Sequence, residues 1–117
     1  MGHGELIRAL PELALWAMGR RVRYRVRGTS MEPALSDGSF VLVDPRAFAR
    51  RAPEPGEVVV ARHPFRTDVR LIKRVRERPS EGRVALAGDR ADVSTDSRDF
   101  GAVPVADVVG RVVLRLR

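Results

Sequence analysis

The chain has 117 residues, 44% of them apolar, which suffices for one small domain with a modest core and argues against disorder. It has no cysteine, so we expect no disulfide and no thiol nucleophile. Its only two histidines, His3 and His63, do not form a ligand cluster, so we expect no metal and no cofactor. A Ser-His triad would form only if His63 meets a serine. The net charge of +7 would suit an anionic partner, but the arginines are dispersed along the chain, which favours a solvated surface and no nucleic-acid partner.

Residues 1–19 are predicted to form a short amphipathic helix, bent near Pro11. Its apolar residues recur at helical spacing: Leu6, Leu10, Leu13 and Ala17. The longest stretch without a charge, residues 13–19, is too short to span a bilayer, and no signal-peptide cleavage site follows it. The apolar face therefore packs on the domain or contacts a membrane peripherally through residues 5–27. We expect a cytoplasmic, soluble protein, with peripheral membrane attachment as the alternative.

Residues 20–117 carry the pattern of short strands separated by turns. Over residues 20–27 arginine alternates with valine and tyrosine, which indicates a half-buried strand. Further strands are predicted over residues 39–44, 57–63, 68–78, 83–87 and 108–117. Connections are predicted over residues 28–38, 45–56, 78–83 and 88–101, the third of them a hairpin turn. The fold class is mainly β, a small antiparallel fold that follows a short N-terminal helix.

Lys73 is the only lysine of the chain and lies on the strand predicted over residues 68–78. The other 21 basic residues are all arginine, whose pKa is too high for a base. Because side chains alternate along a strand, Lys73 shares the apolar face with Leu71 and Val75. Burial there disfavours the charged amine and lowers its pKa, which suits a general base. The alternative is an edge-strand lysine that extends its amine to water.

Ser30 is the candidate nucleophile among the six serines. It lies in the segment Gly28-Thr29-Ser30-Met31-Glu32-Pro33, directly after the basic strand. Gly28 permits unusual backbone angles and Pro33 stiffens the exit, so this turn can expose a hydroxyl and direct backbone N–H groups at an oxyanion. On spacing alone, an ordinary helix N-cap is the better interpretation of Ser30.

Three segments resemble, in the same order, the sequence boxes of the signal peptidase I family of serine proteases. Residues 30–35, SMEPAL, resemble the nucleophile box Ser-Met-x-Pro-Thr-Leu, and residues 71–75, LIKRV, resemble the lysine box. Residues 88–101 resemble the third box, Gly-Asp-Asn-x-x-x-Ser-x-Asp-Ser-Arg-x-x-Gly. Shorter matches follow at Val103-Pro104 and Val109-Gly110-Arg111. The resemblance implies the β fold of signal peptidase I and SOS-repressor proteases in residues 20–117, with a Ser-Lys dyad.

The resemblance also implies a role for each matched residue. Ser30 would be the nucleophile and Lys73 the general base, with Ser94 orienting the lysine amine. Asp96 and Arg98 would form a structural pair. The backbone N–H of Ser30 and the Gly28 region would stabilise the oxyanion, and Met31 would line part of the substrate cleft. A serine replaces Gly28 in some members of the family, where it is a second oxyanion donor. Ala34 and Arg90 replace the usual threonine and asparagine of the boxes.

The short form of the chain most resembles the nickel-type superoxide dismutase maturation proteases. We expect neither a membrane anchor nor a large inserted β domain. The resemblance implies removal of an N-terminal signal or propeptide from a precursor protein, with small side chains before the cut. The expected partner is that precursor, the protease itself binds no nickel, and we expect a monomer.

Three other functions remain open. A self-cleaving SOS-type protease would need an Ala-Gly or Cys-Gly bond before Ser30, whereas the only Ala-Gly, Ala87-Gly88, lies after it. A non-enzymatic, basic nucleic-acid-binding β domain would need exposed aromatic residues, and the chain has one Trp, one Tyr and four Phe, with Tyr24 on the apolar face of its strand. The third possible function is that of a signal peptidase I family member that has lost its catalytic activity.

Overall fold

The structure is a computed structural model that describes the backbone of residues 3–116 and the side chains of residues 9–116. A helix, α1, covers His3–Ala17 and contains Pro11. The side chain of Leu6, which helical spacing puts on the apolar face, lies outside the described residues, as do residues 1, 2 and 117. Within residues 3–116, no helix is both long enough and apolar enough to cross a bilayer.

The buried face of α1 differs from the predicted one. Ala9 is 4% exposed and packs with Leu13 on Leu42 and Leu114 of the sheet, whereas Leu10 is 65% exposed. The small alanine side chain allows the helix to approach the sheet closely, so the contact forms along the stripe of Ala9 and Leu13 and leaves Leu10 outside it. The helix therefore packs on the domain, one of the two outcomes expected for it.

Seven strands form one sheet. They are β1 (Val22–Arg25), β2 (Phe40–Asp44), β3 (Val58–Arg62), β4 (Arg70–Ser80), β5 (Arg83–Ala87), β6 (Val103–Pro104) and β7 (Val108–Leu116). Their order across the sheet is β1-β2-β7-β3-β4-β5-β6, and every neighbouring pair is antiparallel. The predicted mainly β fold with an N-terminal helix is confirmed. Because β1 and β4 are four steps apart in this order, they run in the same direction.

The strand and loop predictions differ from the structure in three places. The hairpin turn was predicted over residues 78–83, but only residues 81 and 82 form the turn. Ser80 pairs with Arg83, so both strands extend into the predicted turn. β6 was not predicted, since two residues are too few to show an alternating pattern. The polar connection over residues 88–101 contains a 3-10 turn at Ala91–Val93 and a short helix, α2, at Ser97–Phe100.

The sheet buries apolar side chains on both faces. One cluster comprises Val26, Met31, Leu35, Val41, Val43 and Val60. The other comprises Val59, Ala61, Val75, Val84, Leu86 and Val103. Neighbouring residues of β3 enter opposite clusters, as expected from the alternation of side chains along a strand. Met31 therefore anchors the loop that carries Ser30 in the first cluster, and Val75 anchors the strand that carries Lys73 in the second.

Candidate active site

Ser30 lies on the tight loop that follows β1. Gly28 has a φ of +83°, a backbone conformation that side-chain-bearing residues rarely adopt, and its N–H donates to Asp37 Oδ1 at 2.8 Å. On the other side of Ser30, Met31 is 1% exposed and its carbonyl accepts a hydrogen bond from Leu35 N at 2.9 Å. The serine is thus held between a turn that needs glycine and a side chain locked in the core.

Lys73 reaches Ser30 from the middle of β4. Its side chain is 6% exposed, and its Nζ lies 2.9 Å from Ser30 Oγ. Burial lowers the pKa of Lys73 from its ordinary value of 10.5, although the negative charge of Asp96 partly opposes that shift. Lys73 is thus buried, as the alternation along its strand predicts, and its amine does not extend into bulk water.

Ser94 is the second hydroxyl in contact with the lysine amine. Lys73 Nζ lies 3.0 Å from Ser94 Oγ, and that hydroxyl donates to Asp96 Oδ2 at 2.6 Å. Because the hydroxyl hydrogen is directed at the carboxylate, Ser94 Oγ presents a lone pair to the amine. An uncharged amine can then donate one N–H to Ser94 and direct its own lone pair at the Ser30 hydroxyl.

Asp96 is fully buried beneath Ser94, with no exposed surface. Its carboxylate accepts hydrogen bonds from Gly88 N at 2.9 Å, from Arg98 N at 3.0 Å and from the Arg98 guanidinium, with Nε at 2.9 Å. Burial alone would raise the pKa of Asp96, but hydrogen bonds from Arg98, Ser94 and Gly88 outweigh it and hold the pKa well below its usual range. Asp96 also caps α2, since its side chain accepts from the backbone N–H of Arg98. In return its own N–H donates to Asp99 Oδ2 at 3.0 Å, which completes a capping box.

Gly88 has a part in this network that the sequence reasoning missed. Its N–H also lies 3.1 Å from Ser94 Oγ, and a β-carbon at Gly88 would lie only 2.3 Å from that oxygen and 3.0 Å from the carbonyl oxygen of Ser30. The position therefore has no room for a side chain. The Gly-Asp signal of the third box marked this residue, but only the path of the loop reveals the contact.

A second missed contact joins the third loop to the rest of the site. Asp89 accepts two hydrogen bonds from Arg74, at 2.8 and 2.9 Å, and does not pair with the nearby arginines of its own loop. The backbone N–H of Arg90 donates to the carbonyl oxygen of Ser30 at 2.7 Å. The loop that carries Ser94 is thus tied both to β4 and to the loop of the candidate nucleophile.

His63 does not form a Ser-His pair. Its Nδ1 accepts hydrogen bonds from the backbone N–H groups of Phe65 and Arg66, at 3.1 and 3.2 Å, and its ring packs against Phe100 with centroids 5.0 Å apart. Among the side chains of residues 9–116, no serine accepts from or donates to His63. This alternative is therefore set aside.

A groove with a volume of about 510 Å³ lies beside Ser30 and Lys73. Its walls are residues 23–27, at β1, and residues 68–72, at the start of β4, and Met31 contributes to its lining. Ser30 and Lys73 are themselves among its lining residues, so a segment bound in the groove would lie beside both.

The sequence of the chain matches a family of known proteins. The family model described as signal peptidase, peptidase S26, matches residues 10–79 and 76–117. The chain belongs to the signal peptidase S26 family. This confirms the resemblance drawn from the three boxes.

The S26 chain is also similar to individual members. It is 33% identical to mitochondrial inner membrane protease subunit 1 of Xenopus tropicalis over an alignment of 108 residues that covers 76% of this chain and 65% of the relative. It is 34% identical to the protein of the same name from Schizosaccharomyces pombe, over 76% of this chain and 69% of the relative. It is 35% identical to signal peptidase I of Aquifex aeolicus over 52 residues, which are 44% of this chain and 20% of the relative.

Proposed function

We propose that this S26 family member is a serine endopeptidase that removes an N-terminal signal or propeptide from a precursor protein, with Ser30 as nucleophile and Lys73 as general base. The observation that carries the proposal is the buried Lys73 amine, 2.9 Å from the Ser30 hydroxyl. An amine that loses its proton easily and touches a hydroxyl is the arrangement that makes serine nucleophilic without a histidine.

In the first half of the reaction, Ser30 Oγ attacks the carbonyl carbon of the scissile peptide bond, and its proton passes to the neutral Lys73 amine. The resulting tetrahedral intermediate collapses as Lys73 returns that proton to the nitrogen of the leaving peptide. The C–N bond breaks, the leaving peptide departs with a free amino group, and the substrate carbonyl stays bound to Ser30 as an ester.

In the second half, a water molecule attacks the ester and Lys73 accepts its proton. The intermediate collapses, Ser30 recovers its hydrogen from Lys73, and the second product leaves as a carboxylic acid. Ser94 acts as a positioning residue throughout, since it receives an N–H of the amine and thereby aims the nitrogen lone pair. Asp96 and Arg98 hold Ser94 from below.

The backbone N–H of Ser30 is the oxyanion donor in this proposal. Within residues 3–116, no oxygen accepts a hydrogen bond from this N–H, so it is available to a substrate carbonyl. The N–H of Gly28, by contrast, already donates to Asp37. A donor from the Gly28 region would therefore have to exchange that partner on substrate binding.

For the substrate, we propose the precursor of a nickel-type superoxide dismutase, on the strength of the resemblance to the proteases that mature this enzyme. Two relatives are named as subunits of a mitochondrial inner membrane protease. The expectation of a monomer, and that of a cytoplasmic rather than a membrane-attached protein, stay predictions. Trp16, Met18 and Val22 are exposed beside Arg20, which would suit a peripheral contact with a membrane surface.

The test is processing of a nickel-type superoxide dismutase precursor, and of a peptide with alanine before the cut, by purified wild type and variants. Ser30→Ala, Lys73→Arg and Lys73→Met are expected to reduce cleavage by at least about 1,000-fold, because nucleophile or base is lost. Lys73→Met keeps an unbranched side chain of nearly the same length without the amine, and keeps the test valid if the bulkier arginine disturbs folding. Arg76→Lys, an exposed change on the same strand, is the control and should cleave at the wild-type rate.

Wild-type cleavage by either Lys73 variant would refute the dyad. If the alanine peptide is cut but the precursor is not, the peptidase stands and the substrate assignment falls.

A further inference from the structure

The outward side of α1 is apolar where a solvated helix would be polar. Five exposed apolar residues follow one another there at helical spacing: Leu10, Pro11, Ala14, Ala17 and Met18. The only charged residue among residues 9–19, Glu12, is partly buried, and its carboxylate pairs with Arg21 Nε at 2.6 Å. A helix that packs on a soluble domain ordinarily presents charged and polar residues to water. These five residues, the apolar stripe, are instead left uncovered by the part of the domain that the structure describes.

The end of α1 brings a basic residue next to the apolar stripe. The N–H of Met18 donates to the carbonyl oxygen of Ala14 at 3.1 Å, so Met18 continues the helical path. Gly19 then has a φ of +76°, and the N–H of Arg20 donates to the carbonyl oxygen of Leu15 at 2.8 Å, as in a Schellman cap. The cap stops the helix within one residue, so the exposed Arg20 follows the stripe directly.

Two arginines of β1 extend the basic region on the same side of the sheet. Arg23 lies opposite Leu42, a residue of the cluster that holds α1, and residues opposite each other across a ladder share a face. Arg25, two positions further on, points to that same face. The Arg23 guanidinium accordingly lies 5.8 Å from the centroid of the Trp16 ring, in the last turn of α1. Among the side chains of residues 9–116, no carboxylate oxygen lies within ion-pair distance of Arg20, Arg23 or Arg25.

We infer that this side of the protein docks on an anionic lipid bilayer, with the apolar stripe among the acyl chains and Arg20, Arg23 and Arg25 among the headgroups. α1 has 15 residues, whereas crossing a bilayer takes about 20, so the helix lies in the plane of the interface. Interfacial helices commonly carry their own basic residues, and here the cap and β1 supply them. The inference goes beyond the proposed function and does not depend on it, because no residue of α1 lines the groove at the candidate active site.

A second copy of the chain is another surface that could cover the apolar stripe, but the charges oppose it. A symmetric dimer buries the same patch on both partners, so two stripes in contact would bring two sets of these arginines together. The net charge of +7 on each copy adds to that repulsion. Anionic headgroups would instead provide the negative partners that the three arginines lack within the described side chains.

The test uses the whole chain, whose only tryptophan, Trp16, reports on the surface directly. With vesicles that contain phosphatidylglycerol, the protein should sediment and Trp16 emission should shift to shorter wavelength, whereas pure phosphatidylcholine vesicles should cause neither change. Arg23→Gln should weaken binding about fivefold and Met18→Gln at least about tenfold, and binding should weaken as salt rises from about 0.1 to 1 M. Arg76→Gln on β4 and Phe65→Ser, where the side chain is 77% exposed between β3 and β4, are matched controls that should bind like wild type.

Three results would overturn the inference. The first is no sedimentation with phosphatidylglycerol vesicles, or equal sedimentation with both kinds of vesicle. The second is binding that Met18→Gln and Arg23→Gln both retain. The third is a dimer in analytical ultracentrifugation that Met18→Gln disperses, without binding to vesicles, which would assign the apolar stripe to a second copy. The peptidase is tested separately, since Met18→Gln should cleave the alanine peptide at the wild-type rate when no vesicles are present.

Discussion

Replacement of Gly88 by alanine should impair the site more than the fold. A β-carbon there would lie 2.3 Å from Ser94 Oγ and 2.6 Å from Ser94 Cβ, whereas ordinary contacts begin near 3.4 Å, so Ser94 must move by about 1 Å. Ser94 Oγ is now 3.0 Å from the Lys73 amine, and a shift of that size breaks their hydrogen bond. A misplacement of about 1 Å can cost about 100-fold in rate, so we expect Gly88→Ala to lower kcat/KM by roughly that factor.

The matched control is Gly110→Ala. A β-carbon at Gly110 would also collide, at 2.5 Å from the Asp44 carbonyl oxygen and 2.7 Å from Val43 Cγ1, but it would touch none of the site residues. Both variants should lose thermal stability in circular dichroism melts. Cleavage per folded molecule should fall only in Gly88→Ala. Wild-type kcat/KM in Gly88→Ala would refute the positioning of Lys73 by Ser94.

Two further predictions concern protons. Cleavage requires uncharged Lys73, so kcat/KM should rise with pH as the amine loses its proton. Because burial lowers the pKa of Lys73, the midpoint of this rise should lie below the ordinary lysine pKa of 10.5. A pH–rate profile whose midpoint lies at the ordinary value would contradict this prediction. Asp96→Asn should lower the free energy of unfolding at neutral pH by about 2 kcal/mol, less than for a fully buried pair because the Arg98 side chain is 36% exposed. The pKa of Asp96 is lowered in the fold, so its contribution to the free energy of unfolding is complete above the unfolded pKa near 3.8 and is lost as pH falls through the folded pKa. The difference in free energy of unfolding between wild type and Asp96→Asn, measured with urea, should therefore become smaller in acid. A difference that stays constant into strong acid would contradict this role of Asp96.

The features that follow from local pattern were predictable. Alternation along β4 placed Lys73 on a buried face, because the side-chain period of a strand does not depend on its neighbours. The continuous apolar run at Val41–Val43 likewise indicated a strand buried on both sides, and all three residues are fully buried. The order of the three boxes brought Ser30, Lys73 and the third loop into one hypothesis before any contact was known.

The features that depend on register and loop path were not predictable. The pair of Arg74 and Asp89 forms because Arg74 lies opposite Ala87 across the β4–β5 ladder, two residues before Asp89, and this alignment depends on bulges in β4. The buried stripe of α1 depends on how closely Ala9 lets the helix approach the sheet. β6 exists only through its pairing with β5, since Val103 and Pro104 carry no pattern of their own.

The two free edges of the sheet differ from the interior strands in a way that bears on self-association. β6 offers only two residues, one of them a proline that has no N–H to donate, and β1 carries guanidinium groups at Arg23 and Arg25. Short, proline-containing and charged edges resist pairing with a second copy, which would have to bring like charges together. The sheet can therefore keep both edges open without pairing with further copies of the chain into fibrils.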